Sequence, residues 1–297
     1  MYRSPASSAS MEAGCTPQAL GPRAATVPPS LRSSGRIDLS LAMRGNELTL
    51  PRAFQSGCLR VRLPRAAGDG ERRAAVILNT AGGIADGDRL DQRIDWQEQA
   101  IGAVTTQAAE KIYRALANGS TIETRLNVGR GASAEWLPQE TILFDGARLD
   151  RETRVVLADD VTFLGIEALV LGRAAMGETV RSGALRDRLR IWRNERLIYA
   201  DALNLDGDIA ALMQRSAIGA GARAMAVLVH ASAGAAALVG PLREALETAR
   251  GRAAASSWNG LLAVRLLAPD GETLRHDIAA ALGVLCNGRP LPRVWRC

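Results

Sequence analysis

Apolar and polar positions alternate along most of the chain as far as about Ala202. Ile37, Leu39, Leu41 and Met43 are separated by mainly polar residues, and so are Leu59, Val61 and Leu63. The same period recurs at Ile122, Thr124, Leu126 and Val128. Later Leu185, Leu189 and Ile191 alternate with Arg186, Arg188 and Arg190. A period of two with one apolar side is the pattern of a half-buried β-strand. Short strands at close spacing, separated by Gly and Asp turns, predict a large β body.

Helical periodicity comes late. Asp208–Arg215 is short and amphipathic. From Pro241 to Arg250, Leu242, Ala245, Leu246 and Ala249 share one face, with Pro241 at the first helical position and Gly251 closing the helix. Thr273 is placed to cap a third helix with the stripe Leu274, Ile278, Ala281, Leu282 and Leu285, ending near Gly288. Between the last two helices, Leu261–Leu267 reads as a strand closed by the turn Pro269-Asp270-Gly271. The fold class is therefore α+β, predominantly β, with a few C-terminal helices. Met1 to about Gly35 lacks periodicity and is rich in Ser, Pro, Ala and Arg, so residues 1–35 are expected to be a disordered extension and 36–297 a single domain.

One loop departs from ordinary turn chemistry. Leu78-Asn79-Thr80-Ala81-Gly82-Gly83-Ile84-Ala85-Asp86-Gly87-Asp88 holds three glycines and two aspartates between apolar strands. That much glycine allows positive φ repeatedly, or a close backbone approach; a wide hairpin without chemistry satisfies the same pattern. It is not a nucleotide loop. The Lys that a phosphate-binding loop needs is absent, and Asp88 follows the last glycine, where its charge would repel phosphates. Adjacent Gly82 and Gly83 also break the dinucleotide fingerprint.

Composition narrows the function classes. With 297 residues and 47% hydrophobic side chains the chain can bury a sizeable core, and 4% aromatics make that core aliphatic. The net charge is +6, almost wholly from arginine, since Lys111 is the one lysine. The arginines are interspersed with 31 acidic residues, which argues against a nucleic-acid-binding module and fits an acidic protein partner equally well. Cys15, Cys58, Cys286 and Cys297 have no metal-ligand spacing, and His230 and His276 are isolated. No secretory segment or membrane-length apolar run is present, so a cytoplasmic location is expected.

Candidate chemistry rests on carboxylates. Glu140, Asp145, Glu167 and Glu178 lie in or beside apolar strand signals. A buried carboxylate must be paired, hydrogen-bonded, protonated or metal-bound. Arg173 is placed to hold Glu167 or Glu178 in a structural fork. The other reading is a small carboxylate-dependent hydrolase.

Four stretches together resemble the urease accessory protein UreD (UreH) family. The first is the glycine loop with Thr105-Thr106-Gln107-Ala108-Ala109-Glu110-Lys111-Ile112-Tyr113-Arg114. The second is Glu135-Trp136-Leu137-Pro138-Gln139-Glu140, with Phe144 and Gly146. The third is Glu167 with Leu171-Gly172-Arg173-Ala174-Ala175-Met176-Gly177-Glu178, and the fourth is Leu291-Pro292-Arg293-Val294-Trp295. The resemblance implies an irregular stacked, β-helix-like sheet body flanked by a few helices. It implies a non-catalytic scaffold for urease maturation that binds the urease apoprotein and UreF, and UreG through UreF. No tightly bound cofactor is implied, only nickel in transit. Residues that follow from it are Asp88, Glu140, Glu167 and Glu178 for the cation path. Gly82, Gly83, Gly87, Thr105, Thr106, Gln107, Gly172, Arg173 and Gly177 would shape functional loops, and Arg293 and Trp295 a partner surface.

Overall fold

The structure is a computed structural model that describes residues 32–65 and 70–296. Seventeen strands and three α-helices follow one another along it. The strands are β1 (Ser34–Arg44), β2 (Glu47–Gly57), β3 (Leu59–Arg62), β4 (Ala74–Asn79), β5 (Arg89–Trp96), β6 (Ile101–Gln107), β7 (Glu110–Ile112), β8 (Ser120–Val128) and β9 (Ser133–Leu137). They continue with β10 (Thr141–Leu143), β11 (Arg148–Leu157), β12 (Thr162–Leu171), β13 (Ala184–Arg193), β14 (Arg196–Asp206), β15 (Ala224–Ala231), β16 (Arg252–Trp258) and β17 (Leu261–Ala268). The helices are α1 (Ile209–Gln214), α2 (Val239–Leu246) and α3 (Gly271–Leu285).

The chain shuttles between two stacked sheets. Strands β1, β5, β8, β11 and β13 lie parallel in one, bordered by antiparallel β2 and β14. Strands β4, β6, β9 and β12 lie parallel in the other, bordered by β3 on one side and by β15, β17 and β16 on the other. From β4 to β13 the chain crosses repeatedly from one sheet to the other, which gives the stacked, solenoid-like body.

Sequence patterning explains why the two sheets differ. The first sheet is covered on one face, so its strands alternate: β5 reads exposed, buried, half-buried, buried along its length. Its inward residues, among them Ile37, Leu39, Ile94, Leu126 and Val155, form a core with Phe163 and Leu169 of the second sheet. The second sheet is covered on both faces. Nine consecutive residues of β12 are buried, and Leu164 and Ile166 pack under Leu242 of α2 and Leu274, Ile278 and Leu282 of α3. A run that is apolar save for one residue, here Glu167, is what a doubly covered strand calls for. Truncating one of these leucines to alanine is expected to cost about 2–5 kcal/mol.

The helix ends differ in detail from the sequence reading. Helix α2 begins at Val239, which leaves Pro241 still in the first turn, where no amide partner is lost. Asp270, not Thr273, caps α3: its carboxylate accepts from the Thr273 amide at 2.7 Å, so the expected turn residue has become the cap. Gly288, at φ 69°, donates back to Gly283 O at 2.8 Å and closes the C-terminal end. At the other terminus, Ser34 and Gly35 belong to β1, because Arg89 of β5 pairs with Ser34. The remainder of the expected extension, through Leu31, lies outside the described residues.

Candidate functional site

The glycine loop is shaped by two aspartates. Asp86 accepts from the amides of Ala117, Asn118 and Gly119, and Asp88 accepts from those of Ser33 at 2.7 Å and Ala85 at 2.9 Å. Both carboxylates are buried and spend their acceptors on backbone N–H groups, so Asp88 pins the loop. Gly82, Gly83 and Gly87 have φ of 77°, 154° and 84°, as the glycine reading requires. The close approach is at Gly83, where a Cβ would stand 2.4 Å from the Tyr113 ring and 2.9 Å from Lys111 O. The loop thus closes on Lys111–Tyr113, although β4 enters it beside Thr106 and Gln107 of β6.

Two of the other stretches come to the same end of the body. Tyr113 donates to Gly82 O and meets Phe144 edge-on at 5.3 Å, and the Arg173 guanidinium lies 4.3 Å from the Phe144 ring centre. Arg173 holds Glu178, not Glu167. The Arg173 hydrogen bond, with backbone amides of Arg173 and Asp145 adding to it, holds the Glu178 carboxyl down to about 2. Gly172 and Gly177 flank this fork at φ 73° and 67°. Met176 at the tip is 72% exposed.

A second group surrounds a groove of about 720 Å³ beside β3, β4 and β6. Thr106, Gln107, Glu140 and Arg293 line it. Thr106 Oγ accepts from the Gln139 amide at 2.8 Å, and Glu140 stands 3.7 Å from Arg275. Thr105 and Trp295 are buried beneath and both donate to Leu137 O, at 2.6 and 2.9 Å. Trp295, 8% exposed, therefore fastens the tail to its own domain; its large apolar ring is better placed in the core than on a surface. Of the two tail residues expected at a partner surface, Arg293 is the exposed one.

Glu167 stands apart from both groups, in the space between the sheets. Its partner is Arg151 of β11 at 3.0 Å, and Thr153 donates to it at 2.7 Å. Arg151 also binds Asp187 of β13 and the Thr141 hydroxyl. Burial pushes the Glu167 carboxyl above its ordinary range while Arg151 pulls it back. Burial also works against the Arg151 cation, but Asp187 and Glu167 outweigh it. This network opens to a cavity of about 290 Å³ lined also by Asp201 and Arg265. Its continuation inward is a row of polar side chains in register, Gln92 on β5, Thr124 on β8 and Thr153 on β11. All three are buried, and among the described residues Gln92 Oε1 has no hydrogen-bond partner.

The four carboxylates expected on a cation path are thus divided among three places. Among the described residues, no three His, Cys, Asp or Glu side chains are grouped so as to hold a metal ion. Sequence reading missed Arg151, Asp187 and Gln92. Their signal was a polar residue at an inward position of a period-two strand, such as Arg151 between Leu149 and Thr153.

A family model described as UreD urease accessory protein matches residues 33–296. This chain belongs to the UreD family. It is 43% identical over 271 residues to the urease accessory protein UreD of Azorhizobium caulinodans, covering 91% of this chain and 99% of that protein. It is 46% identical over 272 residues to that of a Methylobacterium species, covering 89% and 95%. UreD proteins are named for a role accessory to urease. No helix among the described residues of this member is long and apolar enough to cross a membrane.

Proposed function

We propose that this chain is a scaffold in urease maturation, without catalysis of its own, and that nickel on its way to urease passes through the space between its sheets. It binds the urease apoprotein and UreF, and UreG through UreF, in the cytoplasm. No cofactor is held tightly.

The observation that supports the passage is the buried row of oxygens. Gln92, Thr124 and Thr153 are register partners about 4.8 Å apart by β-sheet spacing, and Thr153 donates across to Glu167 of the other sheet, whose partner Arg151 holds Asp187. A sheet interior of this kind is normally aliphatic, because a buried polar group costs free energy unless bonded. Hard oxygen donors at such steps would bind nickel weakly, which suits entry and exit, whereas grouped Cys and His would retain it. Glu140 faces the groove from outside this row. Asp88 is engaged by backbone amides and Glu178 by Arg173 with two amides beside it, so their contribution is to loop shape.

Gln92→Leu and Thr124→Val test the passage, since both keep volume and remove oxygens. Urease nickel content and activity are measured in cells while the accessory complex is recovered by pull-down. Nickel loading should fall with the complex intact. Normal loading by both variants removes the row from the path, and recovery of the chain without any urease protein removes the scaffold role.

A further inference from the structure

The outer face of the first sheet carries charge in rows. Arg93 of β5, Arg125 of β8, Arg154 of β11 and Arg190 of β13 are register partners in succession. Two residues back along the strands lies a second row, Asp91, Glu123 and Glu152. Like charges directly opposite one another destabilise a sheet pair. The acidic row offsets part of this: Arg125 reaches Asp91 at 3.1 Å and also bonds Glu123, and Arg190 reaches Glu152 at 2.9 Å. The compensation is uneven. Among the described residues Arg93 makes no ion pair, and Arg154 stands 3.9 Å from Glu152 with 54% of its side chain exposed. The Arg154 guanidinium lies 5.0 Å from the ring centre of Trp192, and this stacking holds it in place. A shallow groove of about 670 Å³ runs along Arg93, Arg125 and Arg154; its acidic members Asp38 and Asp95 are both held by Arg52, and Glu195 stands at its rim. Parallel sheets are almost always covered on both faces, and among the described residues nothing covers this one.

We propose that this arginine row docks an acidic α-helix of a protein partner. The spacing selects the occupant. Adjacent strands put the arginines about 4.8 Å apart. Carboxylates at positions i, i+3 or i+4, and i+7 of a helix follow one another at about 4.5–6 Å along its axis. An extended peptide repeats on one side only about every 6.7 Å, a poorer match. The acidic row, two residues along the strands from the arginines, rejects a broad polyanion such as duplex DNA and admits a helix that carries one acidic stripe. The inference deepens the scaffold reading and rests on it for the existence of a partner. Its chemistry is tested without urease.

The test uses the full chain and two labelled helical peptides of about 20 residues, long enough to hold helix in water. They have the same composition. One carries Glu in a single stripe and the other has Glu spread around the helix. Anisotropy titrations at low ionic strength should show the striped peptide binding at least about fivefold more tightly, as two or three exposed ion pairs allow. Arg93→Gln combined with Arg154→Gln should abolish that preference. Neither residue holds a close ion pair, so the variant should fold, as an unchanged melting curve would confirm. Equal affinity for the two peptides overturns the proposal. So does an undiminished preference in the double variant, or duplex DNA binding as tightly as the striped peptide. A failed urease pull-down beside a positive peptide result would count against the scaffold reading alone.

Discussion

Arg151 and Asp187 face each other in register on neighbouring parallel strands, and the guanidinium donates to the carboxylate from Nε at 2.9 Å and from Nη2 at 2.5 Å. With Glu167 on the third side, one buried cation serves a buried carboxylate and a half-buried one. Removing the cation is worse than removing all three groups, because unpaired charge then stays in the core.

Arg151→Met is therefore expected to destabilise the fold by about 3–5 kcal/mol at neutral pH. The folded-state carboxyl of Glu167 is already raised by burial, and losing Arg151 raises it further. A raised carboxyl favours folding below its unfolded pKa and loses that contribution as pH rises. The deficit should thus shrink from pH 8 to pH 5, as read by urea unfolding at both. A deficit that is equal at the two pH values would show that the carboxylates find other partners.

Glu110 gives a second pH dependence. It accepts from Asn79 Nδ2 at 3.0 Å, and Asn79 in turn holds the glycine loop through Gly83 O and the Ala81 amide. Burial pushes its carboxyl up to about 7, against the hydrogen bond from Asn79. Between the unfolded value near 4.5 and about 7 the folded chain binds the extra proton, so stability falls as pH rises through that window. The ionised group then costs up to about 3 kcal/mol. Glu110→Gln should remove the slope and exceed the wild type in stability at pH 8. A wild-type slope in the variant would assign the dependence elsewhere.

Two loop glycines are expected to rank differently. At Gly83 a side chain collides with Tyr113 and Lys111 O, whereas a Cβ at Gly82 would meet no other atom of the described residues within 4 Å. Gly82→Ala should cost only the positive φ, about 1–2 kcal/mol. Gly83→Val adds the collision and should melt well below it. Equal melting temperatures would mean that Tyr113 moves aside freely.

Truncation should separate the start of the chain into two parts. A chain beginning at Arg32 keeps the bond from the Ser33 amide to Asp88 and that from the Cys58 amide to Ser34 O. A chain beginning at Arg36 loses both, leaves Asp88 short of one donor, and should melt lower. Comparing the two by thermal unfolding, and by urease activation in cells, tests whether the residues before Arg32 are dispensable. Loss of activity in the longer of the two, with unchanged melting, would give that segment a task.

What the sequence determined by itself was local. Period two placed β1, β8 and β13, period 3.6 placed α1 to α3, and the glycines at 82, 83 and 87 forecast positive φ, because backbone sterics act within a few residues. The motif stretches made the family legible before any contact was known. Tertiary structure decided the rest. Arg173 was near enough in sequence to either Glu167 or Glu178; only the fold gave Glu178 to Arg173 and Glu167 to Arg151. Trp295 read as a surface anchor until its indole was found on Leu137 O. The polar row inside the sheets and the arginine row outside depend on parallel register between strands some 30 residues apart. Register is fixed by the packing of whole faces: a slip of one residue would send Arg151 to solvent and Arg154 to the core, and no local pattern carries that choice.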